Sequence, residues 1–193
     1  KKFHRRHIEE VFSPLRAWVL AIMTPAGSYT LDLDSSVFER YGKQEGAVKS
    51  YNPKKPGRPS HAYHSYFMGN TRLALGVEVE PGDQHTGKHV AVGLWRLLER
   101  IPRELWPRFI RGDVSFGNEA IMHEAEERQI DYLTKLRLTT NVKKLIHRLI
   151  AKGEWVDAGQ GFRGCEGTLE LTGWSRPRRV VVLKRPIQGE VLL

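Results

Sequence analysis

Cysteine occurs once, at Cys165, so the chain can form no disulfide within itself and cannot build a zinc site on several thiolates. A reducing, cytoplasmic setting fits this usage. Long apolar runs are missing too: the longest candidate, residues 17–23, falls well short of the roughly 20 residues that span a bilayer, so no membrane partner is expected. Lys1-Lys2-Phe3-His4-Arg5-Arg6 opens the chain, but the apolar stretch behind it is broken by Glu9, Glu10 and Arg16, unlike a secretory signal. There is no phosphate-cradling glycine loop, nucleophile elbow or dinucleotide fingerprint, which removes the familiar nucleotide-binding and serine-hydrolase classes. Neither an internal repeat nor a low-complexity tract is evident.

What is there is a basic chain of 193 residues, long enough for one sizeable core, or one domain with a smaller insertion. Lys and Arg number 31 against 22 Asp and Glu, a formal charge of +9, which favours polyanionic partners and makes nucleic acid the first expectation. A basic protein with no such partner is the alternative that charge alone leaves open.

Residues 4–23 carry Ile8, Val11, Phe12, Leu15, Val19 and Ile22 at three- and four-residue spacing, the apolar stripe of a helix, which Pro14 is expected to kink or split. Residues 29–34 alternate as a strand, with Asp32 and Asp34 on one face and Leu31 and Leu33 on the other. Residues 42–60 are rich in turn formers and read as a long loop. Two antiparallel strands follow at 63–68 and 73–79, then a helix at 86–100, a short strand ending at Asp113, and a helix at 118–128 capped by Asn118. A strand at 130–136, a helix at 141–151 and short β runs at 155–158, 167–171 and 178–183 complete the order. The pattern implies an α/β mixed sheet with flanking helices and a small β-rich appendix.

Two places stand out. Leu31-Asp32-Leu33-Asp34-Ser35-Ser36 and Ile110-Arg111-Gly112-Asp113-Val114-Ser115-Phe116 each put a carboxylate at the end of an apolar strand, where burial is costly unless the acid is paired or binds a cation. Neighbouring strands ending at Asp34 and Asp113 would bring two hard oxygen ligands to one sheet edge, which suits Mg²⁺ and, with two ions, an in-line phosphoryl displacement. A turn-forming or helix-capping aspartate is the competing reading at either position.

The second place is the loop holding Lys43, Lys49, Lys54, Lys55, Arg58 and His61, with Tyr41 and Tyr51 among them and Glu45 as the one nearby acid. It is a candidate phosphate-contacting arm. If its five fixed cations all touched phosphates, log affinity would fall with log salt at a slope of about −4.5. His85 and His89 are four apart, but no Glu follows His85, so a His-Glu-x-x-His metallopeptidase is not indicated and capping or surface roles are expected. Trp174-Ser175-Arg176-Pro177-Arg178-Arg179 could stack on a base, although a tryptophan anchoring a small sheet is commoner.

The strings above, with Tyr41-Gly42-Lys43-Gln44-Glu45-Gly46-Ala47 and Tyr51-Asn52-Pro53-Lys54-Lys55-Pro56-Gly57-Arg58-Pro59-Ser60, resemble the DDE transposases of bacterial insertion sequences over about residues 28–185. The resemblance implies a ribonuclease-H-like fold with a β-rich insertion after the fifth strand. Divided accordingly, the chain has an N-terminal helical segment at 1–25, an incomplete catalytic core at 26–152 and the start of the insertion at 153–193. It also implies DNA transposition: Mg²⁺-dependent cleavage and strand transfer by a site with two ions, Mn²⁺ being a substitute. The partners implied are double-stranded DNA, as transposon ends and target, and a second copy on DNA in the full-length protein. Residue by residue, Asp113 matches the second catalytic position and Asp34 the first, with Asp32 a rival metal ligand on the same face. Ser36 stands where the family commonly has Thr.

In these enzymes the third carboxylate is a Glu within Tyr-x-x-Arg-x-x-x-Glu on a helix after the insertion, and that string does not occur here. Glu166, Glu170 and Glu190 lie in the β-rich tail. The chain, lacking an initiator Met and ending Val191-Leu192-Leu193, therefore reads as an excised piece that is inactive alone. Two further readings stay open: a non-catalytic fragment that binds DNA through the basic loop, and a ribonuclease-H-like nuclease that hydrolyses without joining ends.

Overall fold

A computed structural model describes residues 5–23, 28–50, 55–84 and 87–185. They form two compact units, Lys1–Lys135 and Leu136–Leu193. The first unit is built on a six-stranded mixed sheet. Its strands are β1 (Thr30–Glu39), β2 (Val48–Lys49), β3 (Pro59–Met68), β4 (Ala74–Pro81), β5 (Phe109–Gly112) and β6 (Asp131–Thr134). The order β3-β1-β5-β6 forms the spine, and β2 and β4 both pair with β3. β3 runs antiparallel to β1 and β4, while β5 runs parallel to both β1 and β6. The parallel steps require crossovers, which α2 (Gly87–Glu99) and α3 (Glu119–Glu127) supply.

Alternation fixes which sheet face is buried. Along β3, Ser60, Ala62, His64, Tyr66 and Met68 are buried while the residues between them are half exposed. Leu31 and Leu33 of β1 belong to the same covered face, packed in one core with Val90, Leu94 and Leu98 of α2. Leu31, Leu94 and Leu98 are fully buried, and each such side chain contributes about 2 to 3 kcal/mol from area removed from water. The opposite face carries Asp32, Asp34, Ser36 and Phe38 of β1, opposite Phe67, Ser65, Tyr63 and His61 of β3.

The N-terminal helix α1 (Arg5–Met23) runs uninterrupted through Pro14 rather than splitting there. Its expected stripe is also revised. Arg16, Val19 and Leu20, spaced three and four apart, are buried, while Val11, Phe12, Leu15 and Ile22 lie on the exposed side. Val19 and Leu20 join the core of the first unit. Residues 42–60 are less irregular than expected, since Val48 and Lys49 pair with Ser60 and Pro59; residues 51–54, including Tyr51 and Lys54, lie outside the described residues, as does His85.

The second unit contains α4 (Thr140–Lys152) and a three-stranded antiparallel sheet of β7 (Val156–Gly159), β8 (Phe162–Leu169) and β9 (Arg178–Lys184). The break between the two compact units falls at 135/136. Val142, Leu145 and Leu149 of α4 bury themselves against Trp155, Cys165 and Leu169, which ties the helix to this sheet. Strand β8 begins five residues earlier than expected because Gly164 and Gly167 lie inside it. At Gly167 a Cβ would come within 3.2 Å of Leu145, so glycine here admits the helix rather than ending the strand. Trp174 packs against this core beneath Arg178, an anchoring role in the small sheet.

Candidate active site

Strands β1 and β5 are paired in parallel register from Thr30 and Phe109 to Leu33 and Gly112. One step beyond the last pair stand Asp34 and Asp113; β1 does not end at Asp34 as expected but runs on to Glu39 against β3, so Asp34 sits mid-strand while Asp113 lies just past the end of β5. Both are exposed. Asp34 is held through its backbone: its residue pairs with Ser65 of β3, and its carbonyl accepts a bond from Ser65 Oγ at 3.4 Å.

Asp113 is set by the turn that follows β5. Its Oδ1 accepts the Ser115 backbone N–H at 2.8 Å, an Asx-type turn that leaves Oδ2 uncommitted, and the Phe116 N–H returns to the Asp113 carbonyl. Phe116, fully buried, folds back over Gly112, where a Cβ would lie 2.7 Å from the Phe116 Cβ. A side chain at 112 would push the ring out and move Asp113 with it. Asn118 then caps α3, its Oδ1 accepting the Ile121 N–H. The Gly-Asp-x-x-Phe string is thus a packing device that aims one carboxylate.

Asp32 is placed differently. It lies opposite Arg111 in the same register, and Arg111 Nε and Nη2 donate to its two carboxylate oxygens at 2.7 Å each. This bidentate pair uses both oxygens and neutralises the charge. Gly69 closes over it, since a Cβ there would be 3.0 Å from Asp32 Oδ2. Sequence reasoning passed over Arg111, although aligning Asp34 with Asp113 on parallel strands forces residues 32 and 111 together. A cavity of about 420 Å³ opens beside the pair toward the strand N-termini, lined by Thr30, Asn70, Arg108 and Phe109 as well as Arg111.

The basic arm is partly tied down. Lys43 and Lys49 are exposed. Lys55 Nζ donates to the Tyr41 hydroxyl and lies 3.3 Å from Glu39, which together raise its pKa, and Arg58 lies over the Tyr41 ring at 5.1 Å. Glu39 is the acid that reading the loop in isolation missed. His61 is committed within the fold: Nδ1 accepts from Arg40 Nε at 3.0 Å, so Nε2 carries the proton and donates to the Glu45 carbonyl at 3.0 Å. Arg40 also reaches the Tyr63 hydroxyl and lies over its ring, and Tyr63 meets Phe38 edge to face.

On the covered face of the sheet, His64 of β3 is fully buried beside Ser35 of β1. Its Nε2 donates to the Gln84 carbonyl at 3.0 Å and its Nδ1 accepts from Ser35 at 3.1 Å. Burial depresses its pKa, opposed by the Gln84 carbonyl and by Glu78 and Glu80, so the ring is neutral near pH 7.

Chemically, Asp34 and Asp113 are hard oxygen donors of one sign on neighbouring strands of the register. That donor set fits a divalent ion such as Mg²⁺, which is commonly held by one or two carboxylates with water and substrate phosphate completing the shell. Among the described residues no group of three or more His, Cys, Asp or Glu side chains is arranged to hold a metal. Among them, too, no helix is long and apolar enough to cross a membrane.

A mixed sheet of this strand order, with one acid within β1 and another just past the end of the neighbouring β5, defines a ribonuclease-H-like α/β core. The sequence matches the family described as Transposase DDE domain group 1 over residues 4–191, and the chain belongs to that family. Among solved structures it resembles the piggyBac transposase synaptic complex with hairpin DNA, at 15% identity and a TM-score of 0.50, covering 93% of this chain and 39% of that one. It also matches the catalytic core domain of BIV integrase (15% identity, TM-score 0.38, 63% and 64% of the two chains). A third match is the Mos1 mariner paired end complex with Mn (13% identity, TM-score 0.39, 79% and 57%). The chain thus spans 39% to 64% of the length of these structures. No curated protein matches the sequence.

Proposed function

We propose that this chain belongs to the catalytic core of a DNA transposase in which Asp34 and Asp113 hold Mg²⁺ beside the scissile phosphodiester, Mn²⁺ serving as a substitute. The observation that supports it most is the register of β1 and β5, which continues directly into the two acids. When bound, a pair of such ions supplies activation of water and then of a DNA 3′-hydroxyl, and stabilises the leaving oxygen. The chain's own groups do the positioning. The Ser115 N–H fixes one oxygen of Asp113 and turns the other outward. Arg111 neutralises Asp32, so the strand end presents two negative charges rather than three. Asp32 therefore serves as an anchor for Arg111 in this reading, not as a metal ligand. Lys43, Lys49, Lys54, Lys55 and Arg58 contact the DNA backbone, whereas His61 braces the arm from within. A reducing cytoplasm, double-stranded DNA as ends and target, and a dimer formed on DNA complete the proposal for the full-length protein.

The test is cleavage and joining of transposon-end DNA by the full-length protein in Mg²⁺. Asp34→Asn and Asp113→Asn are expected to abolish both while retaining DNA affinity; cleavage at the wild-type rate by either variant refutes the assignment. Hydrolysis without joining of 3′ ends would favour the nuclease reading.

A further inference from the structure

The positive charge of the chain is unevenly shared. Residues 136–193 contain 11 Lys and Arg against 5 Asp and Glu, a net +6, whereas the 135 residues before them carry 20 against 17, a net +3. Two-thirds of the excess therefore lies on less than a third of the chain, in a unit to which the proposed chemistry assigns nothing.

Several cations there have partners within the fold. Lys152 pairs with Glu154 at 2.7 Å, Arg179 is bidentate to Glu166, Lys184 lies over the Trp155 ring and Arg163 donates to the Trp155 carbonyl. The outer face of α4 is different. Its inner residues Val142, Leu145 and Leu149 are buried, which turns Lys143, Lys144, His147 and Arg148 to solvent, and all four are exposed. Lys144 and Arg148 are one turn apart, and with Asn141 and His147 they line an open cavity of about 580 Å³ floored by Leu169 and edged by Glu170. Asn141 to Arg148 spans about 10 Å along the helix, a length over which one strand of a duplex carries about three phosphates.

We infer that this face of α4 is a second DNA-backbone contact, in which Lys144 and Arg148 engage successive phosphates of a duplex and Asn141 and His147 donate to their oxygens. The inference rests on the transposase reading for the identity of the polyanion, but not on the metal site. Glu170 opposes the contact and so limits affinity.

The experiment is fluorescence anisotropy of a labelled DNA duplex with the chain in EDTA, as salt is raised from about 50 to 200 mM. K144Q/R148Q is expected to reduce the steepness of log affinity against log salt by about 1.8 and to weaken binding roughly tenfold or more at about 100 mM salt. E170Q is expected to tighten binding several-fold. Lys152→Gln, which removes an already paired cation, should leave the slope unchanged. All these positions are exposed, so the variants should melt as the wild type does. An unchanged slope in K144Q/R148Q, an equal fall in Lys152→Gln, undetectable duplex binding by the wild type, or a preference for duplex RNA would overturn the inference. Because EDTA removes the metal, loss of the catalytic reading alone would leave these results untouched.

Discussion

Exchanging Asp for Asn one position at a time separates the roles of Asp32, Asp34 and Asp113, and thermal melting of the isolated chain with and without Mn²⁺ reads the outcome. A ligand that binds only the folded state stabilises it by RT ln(1 + [L]/Kd), about 1.4 kcal/mol at tenfold excess over Kd. For a domain of this size each kcal/mol moves Tm by about 2 to 4 °C, so Mn²⁺ should raise the wild-type midpoint by about 3 to 6 °C. Asp34→Asn and Asp113→Asn should lose that shift, yet melt no lower than the wild type without metal, because removing one of two adjacent like charges relieves repulsion. Asp32→Asn should do the reverse. It keeps the Mn²⁺ shift but loses the Arg111 pair. With the Arg111 side chain 56% exposed and that of Asp32 30% exposed, solvent screening limits the pair to about 1 kcal/mol, a fall of about 2 to 4 °C. A shift that survives Asp34→Asn and vanishes in Asp32→Asn would exchange the two roles. No shift in the wild type at a tenfold excess over a millimolar Kd, about 10 mM Mn²⁺, would remove the metal site altogether.

Three further outcomes follow from the first unit and the arm. Gly93→Ala would place a Cβ 1.6 Å from the Glu78 carboxylate that accepts the Tyr66 hydroxyl, so despite better helix propensity it should destabilise by about 1 to 2 kcal/mol in urea unfolding. Adding Glu78→Ala should reduce that penalty without erasing it, because the Tyr66 hydroxyl also lies 2.6 Å from the new Cβ, and an additive double variant would refute the contact. His64, held neutral with a depressed pKa, takes up a proton on unfolding first; stability should be complete above the unfolded value of 6.5 and fall as pH drops below it, by no more than about 1.4 kcal/mol per pH unit. His64→Gln should remove this component between pH 6.5 and its depressed folded value, measured as the change in unfolding free energy. In the arm, Lys43→Gln with Lys49→Gln should cut the salt slope of duplex binding by about 1.8, whereas His61→Gln should leave the slope and lower stability instead.

How much of this was legible in the sequence depends on whether a residue's partner lies within its own element. Alternation at Leu31 to Asp34 and along residues 63–68 announces the strands, because one face is buried and the period is two. The Asn118 cap could be read for the same reason. Gly164 and Gly167 misled, since glycine in a strand resembles a break unless one knows that Leu145 and Leu149 of α4 press on it. The stripe on α1 misled because hydrophobicity alone does not say which of two apolar faces meets β4; Arg16 and Leu20, not Leu15 and Phe12, turned inward. Lys55 looked free because Glu39 is on β1, sixteen residues away, and only the fold joins them.

The Arg111 pair is the instructive case, because nothing beyond the sequence was needed to find it. Parallel neighbours advance together, so if Asp34 and Asp113 are abreast, each step back along one strand is matched on the other, and Asp32 must stand beside Arg111. The same step gives Leu31 beside Ile110, both fully buried, which fixes the register independently: slipping β5 by one residue would turn Ile110 to the open face and bury Arg111. The hydrophobic register and the adjacency of the two acids are therefore a single constraint. A substitution such as Ile110→Lys, which attacks the register without touching a carboxylate, should then disable Mn²⁺ stabilisation as completely as Asp113→Asn, whereas the conservative Ile110→Val, costing about 0.5 to 1.5 kcal/mol, should leave the metal shift in place. A metal shift lost in Ile110→Val while the chain remains folded would break the link between register and site.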